Sequence, residues 1–431
     1  MLSNFYYTRL KALSESAYTT LFGLVPTSGV KQFFKHLGII TISFALARVI
    51  SAIASIMAAR LLGPAQFGDS QLVITVAQFF AIPAIMGMNT TMIRYGAKES
   101  NPGPVIASAF WFVVAASVIT TVVGFIGASV LEKALSVSSQ VYMFGLVCGA
   151  AFSLFVILGS ALQTLSKFVL RGLSEISFSV LFLLLVMLSF RFLGISFQSA
   201  SISYTGAYIL ALVLGVIPIA RHRRPSLFDA KTLRMMLHYA SYNAVCGIGF
   251  FLTFSIQRLL LNHMLSSADV GRYSLYSTAS VNFATYAGSM LATVFFPKVA
   301  ASSNREGLWI LTVRSWIWLL IPSLIIVSLF QILVIVLSGK NQYPLDASLI
   351  ILFSLTSWII MIQSSLGQII GAEGVRGARL GLQISLTLGC LNLLLSWLLI
   401  PYFHVHGTVI ALMCSYALST LWLVRVRRAY F

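Results

Sequence analysis

At 431 residues the chain is 58% hydrophobic and 9% charged, with a mean hydropathy of +0.93. A soluble domain carries about 25% charged residues, so most of this chain must lie in lipid. The net charge of +18 would suggest nucleic acid on a soluble domain. Here it falls mainly in short loops, where it reports membrane topology; no nucleic-acid partner is expected.

In chain order, residues 1–36 carry Arg9, Lys11, Lys31 and Lys35 without a compact apolar core and small-residue cleavage site. They read as a cytoplasmic extension and not as a cleaved signal peptide. A spanning helix needs about 20 mainly apolar residues, and runs without two-residue alternation exclude a β-barrel. The expected spans are 37–59, 71–93, 105–130, 140–163, 177–195, 201–220, 238–262, 272–296, 310–337, 345–367, 378–400 and 405–424. The predicted fold is thus an all-α polytopic membrane protein of about 12 transmembrane helices.

The loops sort by charge. Placing the N-terminus inside puts roughly 21 of the 28 Lys and Arg on the cytoplasmic side, against Arg60, Lys133, Arg191, Arg272 and Lys340 opposite. Both termini are therefore expected in the cytoplasm. The most polar connector, RHRRPSLFDAKTLRMM, separates six spans from six. The predicted division is an extension (1–36), a first lobe (37–220), a basic linker (221–237) and a second lobe with a basic tail (238–431). Cys148, Cys246, Cys390 and Cys414 all fall in apolar runs and read as small buried hydrophobes.

A short connector recurs. ARLLGPAQFGDSQL at 59–72 and NHMLSSADVGRYSL at 262–275 align Leu62 with Leu265, Ala65 with Ala268, Gly68 with Gly271 and Leu72 with Leu275. Each copy lies between the first two spans of its half. Two six-helix lobes related by a parallel repeat are the expected build.

Several stretches resemble the polysaccharide flippases, which include O-antigen and other oligosaccharide–lipid translocases. RLLGPAQFGDSQLVITVAQFF followed by GMNTTMIRYGAKE is similar to their start, and FSIQRLLLNHMLSSADVGRYSLYSTA to the opening of their second half. FVLRGLSEI is similar to the turn between helices four and five, and GCLNLLLSWLLIPYFHVHGTVIALMCSYALS, with Asn392, Pro401 and Gly407, to the ending. One departure is Gln257, where the family often carries an acidic residue before the Arg of helix seven. The resemblance implies the fold of the multidrug/oligosaccharidyl-lipid/polysaccharide exporter superfamily. It implies a cargo as well: a polyprenyl-pyrophosphate-linked oligosaccharide, moved across the bacterial cytoplasmic (inner) membrane for O-antigen, capsule or exopolysaccharide synthesis. Membrane lipids, a polysaccharide polymerase and a chain-length regulator are the other expected partners, and no cofactor or metal is expected.

Arg48 lies near the middle of the first span, where a charge costs about 2.5–3.5 kcal/mol. Thr41, Arg48, Ser51 and Ser55 share one helical face. They read either as a stripe lining a cavity, with Arg48 attracting a phosphate, or as an Arg held by carbonyls of a neighbouring helix. Arg258, near the outer end of span seven, either serves the same anion or snorkels to the interface. Asn282, Tyr286, Asn243 and Asn89 are candidate glycan contacts, with interhelical hydrogen bonding as the alternative. Arg94, Lys98 and Arg171 are expected at the cytoplasmic rim, gathering anionic headgroups or simply reporting topology.

None of the ten Asp and Glu falls near the centre of a predicted span. The expected interior therefore lacks a buried carboxylate, which disfavours the multidrug/cation antiporter of the same fold. A membrane polysaccharide polymerase is disfavoured because no predicted outer loop exceeds about fifteen residues. The absence of a phosphate loop, zinc-ligand cluster or nucleophile elbow argues for a transporter and not an enzyme.

Overall fold

The structure is a computed structural model and describes residues 28–96, 99, 101–222, 228–288, 305–339, 341–371 and 375–427. Within them the ordered elements are helices. In chain order these are α1 (Ser28–Ile85), α2 (Met88–Gly96), α3 (Gly103–Ile126), α4 (Ala128–Leu135), α5 (Ser139–Thr164), α6 (Phe168–Phe192) and α7 (Phe197–His222). After the linker come α8 (Ala230–Phe254), α9 (Ile256–Met264), α10 (Ser267–Ser277), α11 (Arg305–Trp318), α12 (Leu320–Gly339), α13 (Ala347–Gly371) and α14 (Val375–Val426). A π-helical turn, Thr278–Asn282, continues α10.

Eight of these are long and apolar enough to cross a bilayer, or nine if the bent pair α8–α9 is one span. Two of the eight, Thr41–Ile85 and Arg379–Val426, have 45 and 48 residues. A straight helix of 45 residues would run about 68 Å, more than twice the apolar thickness of a membrane. Each breaks in the middle, at Gly63 (φ 72°, ψ 172°) and at His404 (φ 50°, ψ −131°). Each therefore supplies two spans, which with the bent pair makes eleven among the described residues; the expected span at 272–296 runs partly outside them.

The expected connector at 59–72 shrinks to one residue. Gly63 takes the positive φ that a side chain resists, and Pro64 follows at the first helical position, where its missing N–H costs nothing. The second copy turns by different chemistry: Ser266 caps α10, accepting from the Asp269 backbone N–H at 3.3 Å while its hydroxyl donates to the Asp269 carboxylate at 2.6 Å. The two copies touch. A side chain on Gly68 would collide with the Ser267 carbonyl, and one on Gly271 with the Pro64 carbonyl. In the sequence alignment Pro64 corresponds to Ser267 and Gly68 to Gly271. The contact is thus reciprocal, as a two-fold axis through the pair requires.

The first half is held together by α1 against α5 and α6, the second by α13 and α8 against α14. Their cores are aliphatic and aromatic; Phe155, Phe178, Phe182, Tyr204 and Tyr208 form a continuous aromatic stack in the first half. Buried hydroxyls such as Ser153, Thr253 and Ser415 return their proton to the carbonyl four residues back, which satisfies them without a partner in lipid. Outward faces carry exposed Ile, Leu, Val and Phe, including Ile119, Ile126, Phe192 and Ile321, as a lipid-facing surface must.

Candidate functional site

Between the halves lies a cavity of about 510 Å³. It is lined from the first half by Arg48, Ser51 and Ser55, by Gln78 beyond the Gly63 break, and by Phe178, Phe182 and Tyr204 of the aromatic stack. From the second half come Phe254 and Arg258, and Asn282 and Tyr286 after α10. Sequence-predicted residues that meet here are thus Arg48, Ser51, Ser55, Arg258, Asn282 and Tyr286. Thr41 does not reach the lining, nor do Asn89 and Asn243. Asn243 donates to the Tyr239 carbonyl at 3.2 Å and to Thr91 at 3.5 Å, and packs under Gly87 where Met86 and Gly87 break the second span. It fits the interhelical alternative.

The two arginines differ in surroundings. Arg48 lays its guanidinium over the Tyr286 ring, 4.1 Å from the centroid, so the contact crosses from one half to the other. Its Nη2 is 3.7 Å from a Glu175 oxygen, and its buried Nε has no hydrogen-bond partner. Arg258 is 7% exposed and its Nε donates to Ser274 at 3.1 Å. Among the described residues no carboxylate pairs with it. The expectation that it snorkels is set aside by this burial.

One expectation is overturned outright. The interior does hold a carboxylate: Glu175 is 6% exposed and binds Arg171 at 2.7 Å as well as Arg48 at 3.7 Å. Sequence reading placed it in a loop at 164–176, but α6 begins at Phe168, and residues 171 and 175 meet one turn apart on that helix. The i, i+4 spacing was the available signal. Arg171 is the partner of Glu175 and lies 5.3 Å over the Phe44 ring. Arg94 is exposed and lies 4.1 Å over the Tyr239 ring, while Lys98 lies outside the described residues.

The charge balance survives this correction. Glu175 neutralises at most one of three guanidiniums, the tighter contact is with Arg171, and it is not part of the cavity lining. The cavity therefore keeps fixed positive charge, with no carboxylate among the described residues on its wall.

Sequence reading also missed the device that bends span seven. The helix turns by 42° between Phe254 and Ile256. Asn392 donates to the carbonyls of Leu252 and Thr253, the acceptors that the amides of residues 256 and 257 would use in an unbroken helix. Gln257 donates to Asn392 at 3.2 Å and accepts from the Tyr273 hydroxyl at 2.9 Å. Ser255, at the break, donates to Gln78 of the first half at 2.6 Å. The break and the π turn at Thr278–Asn282 both face the cavity, where irregular backbone is tolerated in a membrane.

Fold and cavity together define a two-half helical membrane protein with a cationic chamber between its halves. The lipid II flippase MurJ in an inward closed conformation superimposes with a TM-score of 0.66 at 15% identity, over 90% of this chain and 87% of that one. An inward-facing multidrug resistance MATE family transporter of the MOP superfamily gives 0.66 at 14% identity over 92% and 98%. The eukaryotic MATE transporter AtDTX14 gives 0.62 at 12% over 92% and 95%. These likenesses establish the fold. No curated protein sequence matches. The family profile described as "Polysaccharide biosynthesis protein" matches residues 33–303, and the chain belongs to that family.

Proposed function

We propose that the protein is a flippase that carries a polyprenyl-pyrophosphate-linked oligosaccharide from the inner to the outer leaflet of a bacterial cytoplasmic membrane, for assembly of a surface polysaccharide. The observation that carries this reading is Arg258: a guanidinium sunk into the cavity wall with one neutral hydrogen bond and no carboxylate. Breaking a buried ion pair costs about 3–5 kcal/mol because one charge is left uncompensated. An arginine kept in that state favours a mobile anion as its partner. Guanidinium suits a diphosphate, since it stays charged and donates two parallel hydrogen bonds.

Arg48 and Arg258 offer two stations to that anion, one from each half. Asn282 and Tyr286, beside them, are proposed to touch the glycan. The polyprenyl tail stays in lipid between helices. Movement follows if cargo shifts the balance between states open to either side, which requires only modest differential affinity. With the termini in the cytoplasm, as the charge pattern favours, a polymerase and a chain-length regulator on the outer side are the partners this reading implies.

A cation antiporter gains some support from Glu175. Two arginines hold that carboxylate, however, and it contributes nothing to the cavity wall. The deciding experiment reconstitutes the purified protein in vesicles with a fluorescent lipid-diphosphate-linked saccharide and follows its arrival in the outer leaflet. Transport by wild type and its loss in Arg258→Gln are expected. Unchanged transport in that variant removes the cationic cavity from the mechanism.

A further inference from the structure

A second cavity, of about 330 Å³, lies inside the second half between α8, α13 and α14. It meets the central cavity at a shared wall, Phe250 and Phe254 of α8, whose rings are 4.8 Å apart. Its volume is that of a small-ligand site. Among the described residues, none that lines it is charged.

Its polar groups are nevertheless under-used. Gln363 spends its amide N–H on Ser419 at 2.9 Å, which leaves the carbonyl oxygen. Gln368 and Ser385 make no side-chain hydrogen bond with any described residue, nor does the hydroxyl of Tyr416, a side chain only 5% exposed. Gly367 and Gly381 open the floor: a Cβ on either would meet nothing within 4 Å. Neutral donors and acceptors around aromatic faces match a sugar, which presents hydroxyls at its rim and C–H groups on its faces. A charged sugar would be desolvated there with no counter-ion among the described lining residues.

Phe250 and Phe254 line both cavities and Arg258 lines the central one just past the break, so the neutral cavity adjoins the cationic one. We propose that the second cavity is a glycan subsite, which takes uncharged sugar next to a diphosphate held at Arg258. The subsite selects cargo by the charge of those sugars. This rests on the reading that the central cavity binds the diphosphate.

The test uses the full-length protein in detergent and three probes: farnesyl diphosphate, the same diphosphate bearing N-acetylglucosamine, and the same bearing glucuronic acid. Affinities are measured by calorimetry. The N-acetylglucosamine probe is expected to bind at least about tenfold more tightly than the bare diphosphate, and the glucuronyl probe no more tightly. Gly381→Leu, which plugs the open floor, and Gln368→Ala, which removes a polar contact, should each abolish that gain and leave farnesyl diphosphate binding unchanged. Arg258→Gln should weaken all three probes alike. If the sugar adds no affinity in wild type, if both variants keep the gain, or if glucuronic acid adds as much, the subsite is wrong and the diphosphate site stands. If no probe binds, the diphosphate reading itself falls and the subsite falls with it.

Discussion

Arg48 was legible because a guanidinium in the middle of an apolar run has few bland explanations; the structure supplies its neighbours. Replacing it with Ala should abolish surface polysaccharide in cells that express the variant normally, while Lys should retain part, since it keeps the charge but not the planar fork over Tyr286. Normal polysaccharide output from Arg48→Ala would remove this residue from the mechanism. Glu175→Gln makes the opposite kind of change. It leaves Arg171 and Arg48 without their shared carboxylate, so the melting temperature should fall by several degrees. The same variant should bind farnesyl diphosphate several-fold more tightly, because a competing anion has been removed. Weaker binding by a stable Glu175→Gln protein would make the carboxylate part of the anion site.

Elements carry the next set of expectations. The reciprocal contact of Gly68 and Gly271 leaves no room for a methyl group on either side, and over-packing of this kind costs about 1–3 kcal/mol. Gly68→Ala and Gly271→Ala should each lower the melting temperature, and the double variant should cost less than the two added, because either clash already pushes the same two connectors apart. Additive losses would mean the two connectors do not share that contact. The start of α13 is a second element-level case. Although partial burial opposes it, hydrogen bonds from the Ser348 hydroxyl and the Leu349 amide, with His406 and Arg272 nearby, hold the Asp346 carboxyl below its ordinary value. A depressed carboxylate stabilises the fold above its unfolded pKa, about 3.9, and loses that contribution as pH falls through the lower folded value. Asp346→Asn should therefore lower the melting temperature at pH 7, with the difference from wild type shrinking as pH falls below the unfolded pKa and through the lower folded one. A difference that persists undiminished there would assign the effect to packing.

On the scale of the whole molecule, the halves touch at the end opposite the linker as well as around the cavity. Tyr343 donates to the Ala59 carbonyl at 3.2 Å, Ser136 pairs with His263 at 2.7 Å, and Asn262 donates to the Ser136 carbonyl at 2.5 Å. If cargo crosses by rocking of the halves, these contacts must open once per cycle. Ser136→Cys with Asn262→Cys, in a background with the four native cysteines replaced, should form a disulfide under oxidation, and transport should stop and then return on reduction. Transport at the normal rate by the fully cross-linked protein would exclude separation at this end.

Membrane residence, the helical fold, the number of spans and the repeat were all written in the sequence. Lipid forces a 20-residue apolar period on every span, and the same connector stands at the same place in both halves. Local spacing also held the Arg171–Glu175 pair, although its depth was hidden because α6 starts nine residues earlier than hydropathy suggested. Tertiary structure alone decided that Arg258 is buried in the cavity wall, that Asn392 bends span seven, and that Phe250 and Phe254 stand between a cationic chamber and a neutral one. The reason is that each depends on side chains from helices far apart in the chain. One-dimensional hydropathy says that a helix lies in the membrane, and only packing says which of its faces looks at lipid, at protein or at a cavity.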